Sequence, residues 1–309
     1  MPQLLQVKSL QKGYRKYPFS GLKTVLRRVD FQLRPGEIAG LYGANGSGKT
    51  TFTRLLVGLT NQDDGVVEVL GMKPSHALKK GLIGYVPERE RLPGYMTAES
   101  MLRVRSRAAQ AAPDPSWLDY LFDALNLEAI RDRPARELSK GQRQRISIVL
   151  AIATQPALVI MDEPTDGLDP IGRIKVRDII REMGRRNIGV LMNSHLVDET
   201  QSACESYAIL FDGEIQERGR SDALRSEVAR WQVSFHKDTP GYSEAFQRLD
   251  LSCADERGFV TAPADSLASL NDFIQRAQSE GLLLSALEPE QHPIEDKLAE
   301  YASRGASQS

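Results

Sequence analysis

The strongest indication of the fold of this chain is the segment Gly43-Ala44-Asn45-Gly46-Ser47-Gly48-Lys49-Thr50. It matches the pattern G-x-x-x-x-G-K-[ST] at every fixed position, follows the apolar run 38–42 and precedes a segment with helical character, 51–57. A glycine-rich loop between a buried strand and a helix turns its backbone N–H groups inward, where they bind the phosphates of a nucleotide. A glycine-rich turn that merely precedes a lysine is the alternative, and it leaves the strand-to-helix setting unexplained.

Individual residues of this loop are predicted to contact a nucleoside triphosphate. Lys49 reaches the β- and γ-phosphates, and the Thr50 hydroxyl binds Mg²⁺. The positive end of the helix dipole adds to the attraction for phosphate. The residues predicted to bind the nucleotide here are Gly43, Asn45, Gly46, Ser47, Gly48, Lys49, Thr50 and Thr51.

Length and composition restrict the class of protein. The 309 residues suffice for about two domains. With 40 basic and 41 acidic residues the net charge is −1, so there is no electrostatic argument for nucleic acid, and no such partner is expected. Cys204 and Cys253 lack metal-ligand spacing and are expected to be reduced thiols in a cytosolic compartment. We expect no signal peptide and no membrane-spanning segment.

The order of strands and helices predicts an α/β fold with a parallel sheet. Strands are expected at 82–86, 157–162 and 189–193, helices at 138–153 and 171–183, and a hairpin at 207–219 that turns at Asp212-Gly213. Edge strands at 4–10 and 24–33, with Tyr14 on the loop between them, and a β-rich segment at 65–70 predict an antiparallel β-subdomain.

Two further regions complete the predicted domain organisation. An inserted helical subdomain is expected at about 88–154, in which Ser139 and Gln142 form a capping box. Strands at 231–235, 258–261 and 282–287 and helices at 242–249 and 266–279 predict a small C-terminal α+β unit. The predicted domains are therefore 1–225 and 226–309, with a disordered tail from Ala306.

A second phosphate-facing element is the apolar strand 157–162, which ends in Asp162 and Glu163. An aspartate at the carboxyl end of a buried strand can hold Mg²⁺, and the adjacent Glu163 can accept a proton from an attacking water. Acidic residues also commonly end strands. The pairing with Lys49 and Thr50 favours the functional interpretation.

Several motifs then carry a family resemblance. Leu138-Ser139-Lys140-Gly141-Gln142 resembles the signature motif of ATP-binding cassette (ABC) ATPases, Gly167-Leu168-Asp169 resembles their D-loop, and Asn193-Ser194-His195 their switch histidine. Tyr14 lies where that family stacks an aromatic ring on adenine. The motifs follow the order of the family, and the resemblance covers residues from about 4 to 220.

The resemblance implies a P-loop NTPase core that binds ATP and Mg²⁺ and acts as a dimer. Two copies, most simply a homodimer, would close head-to-tail around two ATP molecules. The nucleotide loop of one copy would face the signature motif of the other. Its implied catalytic residues are Lys49, Glu163 and His195, and its implied nucleotide contacts beyond the loop are Tyr14, Ser139, Gly141, Gln142 and Asp169. Ser139 could also be only a helix cap.

Two positions depart from the commonest family pattern. Glu88 occupies the place of the Q-loop glutamine and is expected to reach Mg²⁺ through water, so the predicted metal site is Thr50, Glu88 and Asp162. Lys140 stands where glycine is common. Both variants, and the C-terminal extension, resemble ATPase subunits of ABC-2-type exporters. Ile294-Glu295-Asp296 resembles a Leu-Glu-Asp near the end of that group.

The leading hypothesis is an ATP-hydrolysing subunit at the cytoplasmic face of the cell membrane. It would energise transport, in the export direction, through separate polytopic transmembrane permease subunits that dock on the helical subdomain near Arg89, Arg91 and Leu92. The alternatives are a non-transport ABC ATPase acting on ribosomes or nucleic acid, and a scaffold that ATP only switches. A small-molecule P-loop kinase would leave the signature motif and His195 unexplained. The transported substrate and the role of the C-terminal unit stay open.

Overall fold

The computed structural model describes residues 3–15, 21–193, 203–221, 231–236, 241–249, 251, 260–262 and 267–289, and six single residues from 294 to 303. The chain divides into two compact units, Met1–Ser221 and Asp222–Ser309. Among the described residues no helix is both long and apolar enough to cross a membrane.

A six-stranded sheet forms the centre of the first unit. Its strands are β3 (Ile38–Tyr42), β5 (Ile83–Val86), β6 (Leu158–Asp162), β7 (Gly189–Asn193), β8 (Ser206–Phe211) and β9 (Glu214–Arg220). They lie in the order β5-β6-β7-β3-β8-β9, and all neighbours are parallel except the β8-β9 hairpin. The predicted α/β fold with a parallel sheet is confirmed.

The apolar sequences of the central strands follow from cover on both faces of this sheet. Within β6, Val159 and Met161 belong to one hydrophobic cluster, whereas Leu158 and Ile160 belong to another. All residues of β3, β6 and β7 are buried. The polar residues that end these strands therefore meet at one edge of the sheet.

The β-subdomain is a second sheet, made of β1 (Leu5–Arg15), β2 (Leu22–Leu33) and β4 (Asp64–Val69) in the antiparallel order β2-β1-β4. The prediction that 4–10 is an edge strand with Tyr14 on a loop is wrong. β1 is the central strand, and Tyr14 lies on it opposite Lys23. Register shifts between Val7 and Gly13 break the alternation of apolar and polar residues, so the pattern stops while the strand continues.

The described part of the first unit also contains six helices: α1 (Lys49–Val57), α2 (Pro74–Lys79), α3 (Ala98–Ala109), α4 (Pro115–Ala124), α5 (Lys140–Ile152) and α6 (Pro170–Arg185). Two short 3-10 helices, Glu128–Ile130 and Ala135–Glu137, precede α5. The indole N–H of the buried Trp117 donates to the carbonyl of Ile152 at 3.0 Å and attaches α4 to the end of α5. The predicted helical insert is therefore packed through α5 onto the central sheet.

The second unit has its own small core. Its sheet contains β10 (Trp231–Phe235), β11 (Val260–Ala262) and β12 (Leu284–Pro289) in the antiparallel order β11-β10-β12. Its described residues include two helices, α7 (Tyr242–Arg248) and α8 (Leu267–Ser279). Val233, Phe235, Ala245, Leu270 and Ala277 are buried together. Glu295, Asp296 and the tail from Ala306 lie outside the described residues.

Candidate nucleotide site

The loop between β3 and α1 adopts a conformation that depends on glycine. Gly48 has φ of 110°, and a Cβ at this position would lie 2.8 Å from Leu26 Cδ2. A Cβ at Gly43 would lie 2.3 Å from the carbonyl oxygen of Leu210. At Gly43 and Gly48 the loop therefore packs too closely on its neighbours for a larger residue. The helix α1 begins directly after the loop, at Lys49.

Lys49 folds back over this loop. Its ammonium donates to the carbonyl oxygens of Gly43 at 2.5 Å and Ala44 at 3.2 Å. Burial lowers the pKa of Lys49, and the nearby carboxylates of Glu163 and Asp162 oppose that shift. The nearby carboxylates thus only partly offset the cost of burying the Lys49 ammonium, and an anion such as phosphate would stabilise its charged form.

Asp162 ends β6 as a buried carboxylate, 4% exposed. Its Oδ1 accepts a hydrogen bond at 3.2 Å from Nδ2 of Asn193, its register partner on β7. Its Oδ2 is buried without a hydrogen-bond partner among the described residues. Burial raises the pKa of Asp162, the bond from Asn193 opposes this, and Glu163 and Glu88 add to the increase. A buried carboxylate oxygen with no donor is suited to bind a cation.

The next residue, Glu163, has a left-handed backbone with φ of 51°, which is uncommon outside glycine. Its backbone N–H donates to the carbonyl of Asn193 at 3.0 Å, which fixes the turn after β6. Residues held in such conformations cluster at active sites. The turn places the Glu163 side chain on the wall of the same cavity as Asp162.

A cavity of about 440 Å³ brings these elements together. It is lined by Val25, Asn45, Gly46, Gly48, Lys49, Thr50, Thr51, Glu88, Asp162, Glu163 and Asp166. Nine of these residues were predicted from the sequence. Val25 and Asp166 were not. Asp166 could have been proposed from the sequence, because it is an acidic residue three positions after Glu163. Nothing in the sequence distinguishes Val25 from other apolar strand residues.

The remaining described residues of the predicted site lie elsewhere. Gly43 and Ser47 belong to the loop without lining the cavity, and Ser47 Oγ is buried with no partner that the described residues provide. Tyr14 is an exposed residue of β1. His195 and its neighbour Ser194 fall outside the described residues.

The signature residues form the start of α5. Ser139 Oγ accepts a hydrogen bond from the Gln142 backbone N–H at 3.2 Å, and Gln142 Oε1 accepts from the Ser139 N–H at 2.9 Å. The predicted capping box is confirmed, although α5 begins at Lys140 rather than at the expected 138. Ser139 is exposed, so this helix terminus is open to solvent.

The loop that contains the D-loop motif packs against this terminus. Lys140 forms an ion pair with Asp166 at 2.8 Å, and Arg145 forms one with Asp169 at 2.7 Å. Asp169 also caps α6 by accepting from the Gly172 N–H at 3.1 Å. The Asp169 carboxylate is therefore engaged within its own chain.

The parallel sheet, the glycine loop and the two carboxylates at the end of β6 define a P-loop nucleoside triphosphatase. Comparison with known proteins identifies the family. The chain matches the ABC transporter family model over residues 26–166. The chain belongs to this family: it is an ATP-binding subunit of an ABC transporter and an ATPase.

Individual relatives align over most of their length. The lipopolysaccharide export system ATP-binding protein LptB of Acidithiobacillus ferridurans is 34% identical over 225 residues, which cover 71% of this chain and 91% of that protein. The Escherichia coli K12 protein of the same name is 32% identical and covered to 90%, across 70% of this chain. A solved ATP-binding subunit of an ABC transporter superposes with a TM-score of 0.65 at 28% identity, over 72% of this chain and 92% of that one.

The glycine loop gives a prediction for stability without nucleotide. Gly48→Ala introduces a methyl group that meets Leu26, whereas no described atom lies within 4 Å of a Cβ at Gly46. Both glycines have positive φ, so Gly46→Ala is a matched control for backbone strain. We expect Gly48→Ala to lower the free energy of unfolding by about 1–3 kcal/mol more than Gly46→Ala. Denaturant unfolding without nucleotide measures this, and equal losses would contradict the packing described above.

Proposed function

We propose that this chain binds ATP with Mg²⁺ in the 440 Å³ cavity and uses its hydrolysis to drive export through separate membrane subunits. The observation that carries the proposal is the unpartnered buried oxygen of Asp162 in the cavity that also contains Lys49 and Glu163. A buried anion, a half-buried cation and a second carboxylate in one cavity match the needs of a metal-bound polyphosphate and an attacking water.

Thr50, Asp162 and, through water, Glu88 are the residues that would hold Mg²⁺. All three line the cavity. The described residues contain no group of three or more His, Cys, Asp and Glu that could hold a metal. A hydroxyl and two carboxylates nevertheless fit Mg²⁺, because it usually takes its other ligands from water and from phosphate. When bound, it neutralises charge on the phosphate oxygens.

The protein residues then have distinct roles in hydrolysis. When the nucleotide binds, the Lys49 ammonium replaces its hydrogen bonds to the loop carbonyls with hydrogen bonds to the β- and γ-phosphates. The N–H groups of the loop bind the other phosphate oxygens. Glu163 accepts a proton from water while the water oxygen bonds to the γ-phosphorus. The bond from that phosphorus to the bridging oxygen breaks, and ADP and phosphate leave. His195 keeps the proposed role of contacting the γ-phosphate.

A second copy completes the proposed site. Ser139 and Gly141 lie outside the lining of their own chain's cavity, at an exposed helix N-terminus that suits an anion. We therefore propose a head-to-tail homodimer in which they contact the nucleotide of the other copy. Gln142 and Asp169 are already hydrogen-bonded within the chain. We therefore propose that they support this interface indirectly, by fixing the conformation of the segments that contact the other copy. Tyr14 is exposed on β1 and is proposed to stack on adenine.

The export direction rests on relatives and on two sequence variants. The two LptB proteins are named as subunits of lipopolysaccharide export systems. Glu88 and Lys140, together with the C-terminal unit, resemble ABC-2-type exporters. We propose that the chain docks on polytopic permease subunits at the cytoplasmic face of the membrane. We do not propose lipopolysaccharide as the substrate, because the membrane subunits, and not this chain, would select the substrate.

The first test uses Glu163→Gln, which keeps the shape of the side chain and removes the proton acceptor. We expect ATP hydrolysis to fall by about 10²-fold or more and a dimer to accumulate with MgATP. Phosphate release and light scattering after gel filtration measure the two effects. Glu214→Gln, at an exposed position of β9, is the matched control and should resemble the unmodified chain. Hydrolysis at full rate by Glu163→Gln would exclude Glu163 as the base.

The second test identifies the partner. Tagged Glu163→Gln chain is used to pull down proteins from detergent-solubilised membranes with ATP and Mg²⁺. We expect a polytopic membrane protein in near-stoichiometric amount, detected by mass spectrometry. Recovery of ribosomes or nucleic acid alone would instead support the non-transport ABC ATPase.

A further inference from the structure

The first turn of α5 has an unfavourable distribution of charge. It carries Lys140 and Arg143 and no acidic residue, although a helix N-terminus favours negative charge. Each of the two cations has a carboxylate partner from another segment: Asp166 for Lys140 and Glu90 for Arg143. Asp166 lines the nucleotide cavity, and Glu90 lies two residues after Glu88, which also lines it. Both partners therefore come from segments that border the cavity.

Arg143 makes the more buried of these two connections. Its Nε donates to Glu90 Oε1 at 3.0 Å, and its Nη1 donates to the backbone carbonyl of Leu138 at 2.7 Å. The Glu90 side chain is 10% exposed and that of Arg143 is 32% exposed. Charge pairs in partly desolvated positions are stronger than surface pairs, and removal of one partner leaves the other poorly solvated.

The two acceptors of Arg143 lie in functionally different places. Glu90 belongs to the segment that begins at Glu88, whereas Leu138 immediately precedes Ser139, the cap of α5. Backbone hydrogen bonds continue the same connection: Arg136 N–H donates to Gly94 O and Ala135 N–H to Met96 O, both at 2.9 Å. The segments 88–96 and 135–143 are thus joined by one guanidinium and by main-chain bonds.

We infer that Arg143 is a positioning residue that couples the nucleotide cavity of a chain to that chain's own Ser139. It fixes the carbonyl before Ser139 relative to the segment that starts at Glu88. This inference rests on the proposed function, in which Ser139 serves the nucleotide of the other copy. A change at Glu88 in one site would then alter the contact made to the second site.

The geometry requires arginine rather than any cation. The guanidinium donates from two different nitrogens to two acceptors on separate segments. The single ammonium of lysine lacks this planar fork, so Arg143→Lys keeps the charge and loses the fixed double contact. Glu90→Gln keeps the shape of the acceptor and removes its charge.

The test compares ATP-dependent dimerisation with nucleotide binding by the monomer. In the Glu163→Gln background, Arg143→Lys should raise the MgATP concentration needed for dimerisation roughly tenfold. Affinity of the monomer for a fluorescent ATP analogue should stay the same, because Arg143 does not line the cavity. With Glu163 restored, the variant should raise KM for MgATP by a similar factor, because hydrolysis needs the dimer, with kcat at saturating MgATP nearly unchanged. Arg107→Lys, at an exposed position of α3, is the matched control.

A double-mutant cycle tests the pair itself. We expect Glu90→Gln to have the effect of Arg143→Lys and the double variant to be no worse than either, since both remove one connection. Additive losses, or dimerisation of Arg143→Lys at the same MgATP concentration as Arg107→Lys, would overturn the inference. If the Glu163→Gln parent itself forms no dimer with MgATP, the proposed homodimer fails and the inference fails with it.

Discussion

The structure depends on holding charge at the carboxyl edge of a sheet whose central strands, β3, β6 and β7, are otherwise buried and mostly apolar. Asp162 is brought to that edge by β6, and Asn193 on the neighbouring β7 donates to only one of its oxygens. Lys49 is brought there by the loop after β3 and is bonded to carbonyls of that loop. Burial opposes both charges, raising the pKa of Asp162 and lowering that of Lys49. A metal-bound polyphosphate supplies a cation for Asp162 and anionic oxygens for Lys49. Affinity for it therefore arises because the protein itself only partly balances these two charges.

The helical subdomain is connected to this charged edge through the first turn of α5, whereas the last turn of α5 attaches α4. Trp117 donates to the carbonyl of Ile152 at its last turn, and Lys140 and Arg143 pair with Asp166 and Glu90 at its first. The first-turn contacts involve segments that border the nucleotide cavity. An ATPase that performs conformational work needs such a connection, because the chemistry occurs at the sheet edge and the membrane partner is proposed to dock elsewhere.

Local patterns in the sequence predicted much of this arrangement. Continuous apolar runs predicted β3, β6 and β7, and the spacing of Ser139 and Gln142 predicted the cap of α5. Tyr14 was misplaced because bulges in β1 interrupt the alternation that identifies a strand. The sequence could not predict that Val25 lines the cavity or that Arg143 pairs with Glu90. Both depend on segments that meet only after the sheet forms, and no local periodicity records such a meeting.

Asp162 carries a buried and incompletely compensated charge, which ligand binding relieves. The most direct measurement is the thermal midpoint of the intact chain and of Asp162→Asn, each with no nucleotide, with ATP and EDTA, and with MgATP. Asp162→Asn preserves shape and removes the charge. We expect a higher midpoint for the ligand-free variant than for the unmodified chain, and loss of the additional stabilisation that Mg²⁺ gives to the ATP complex. A lower ligand-free midpoint with the Mg²⁺-dependent increase intact would contradict it.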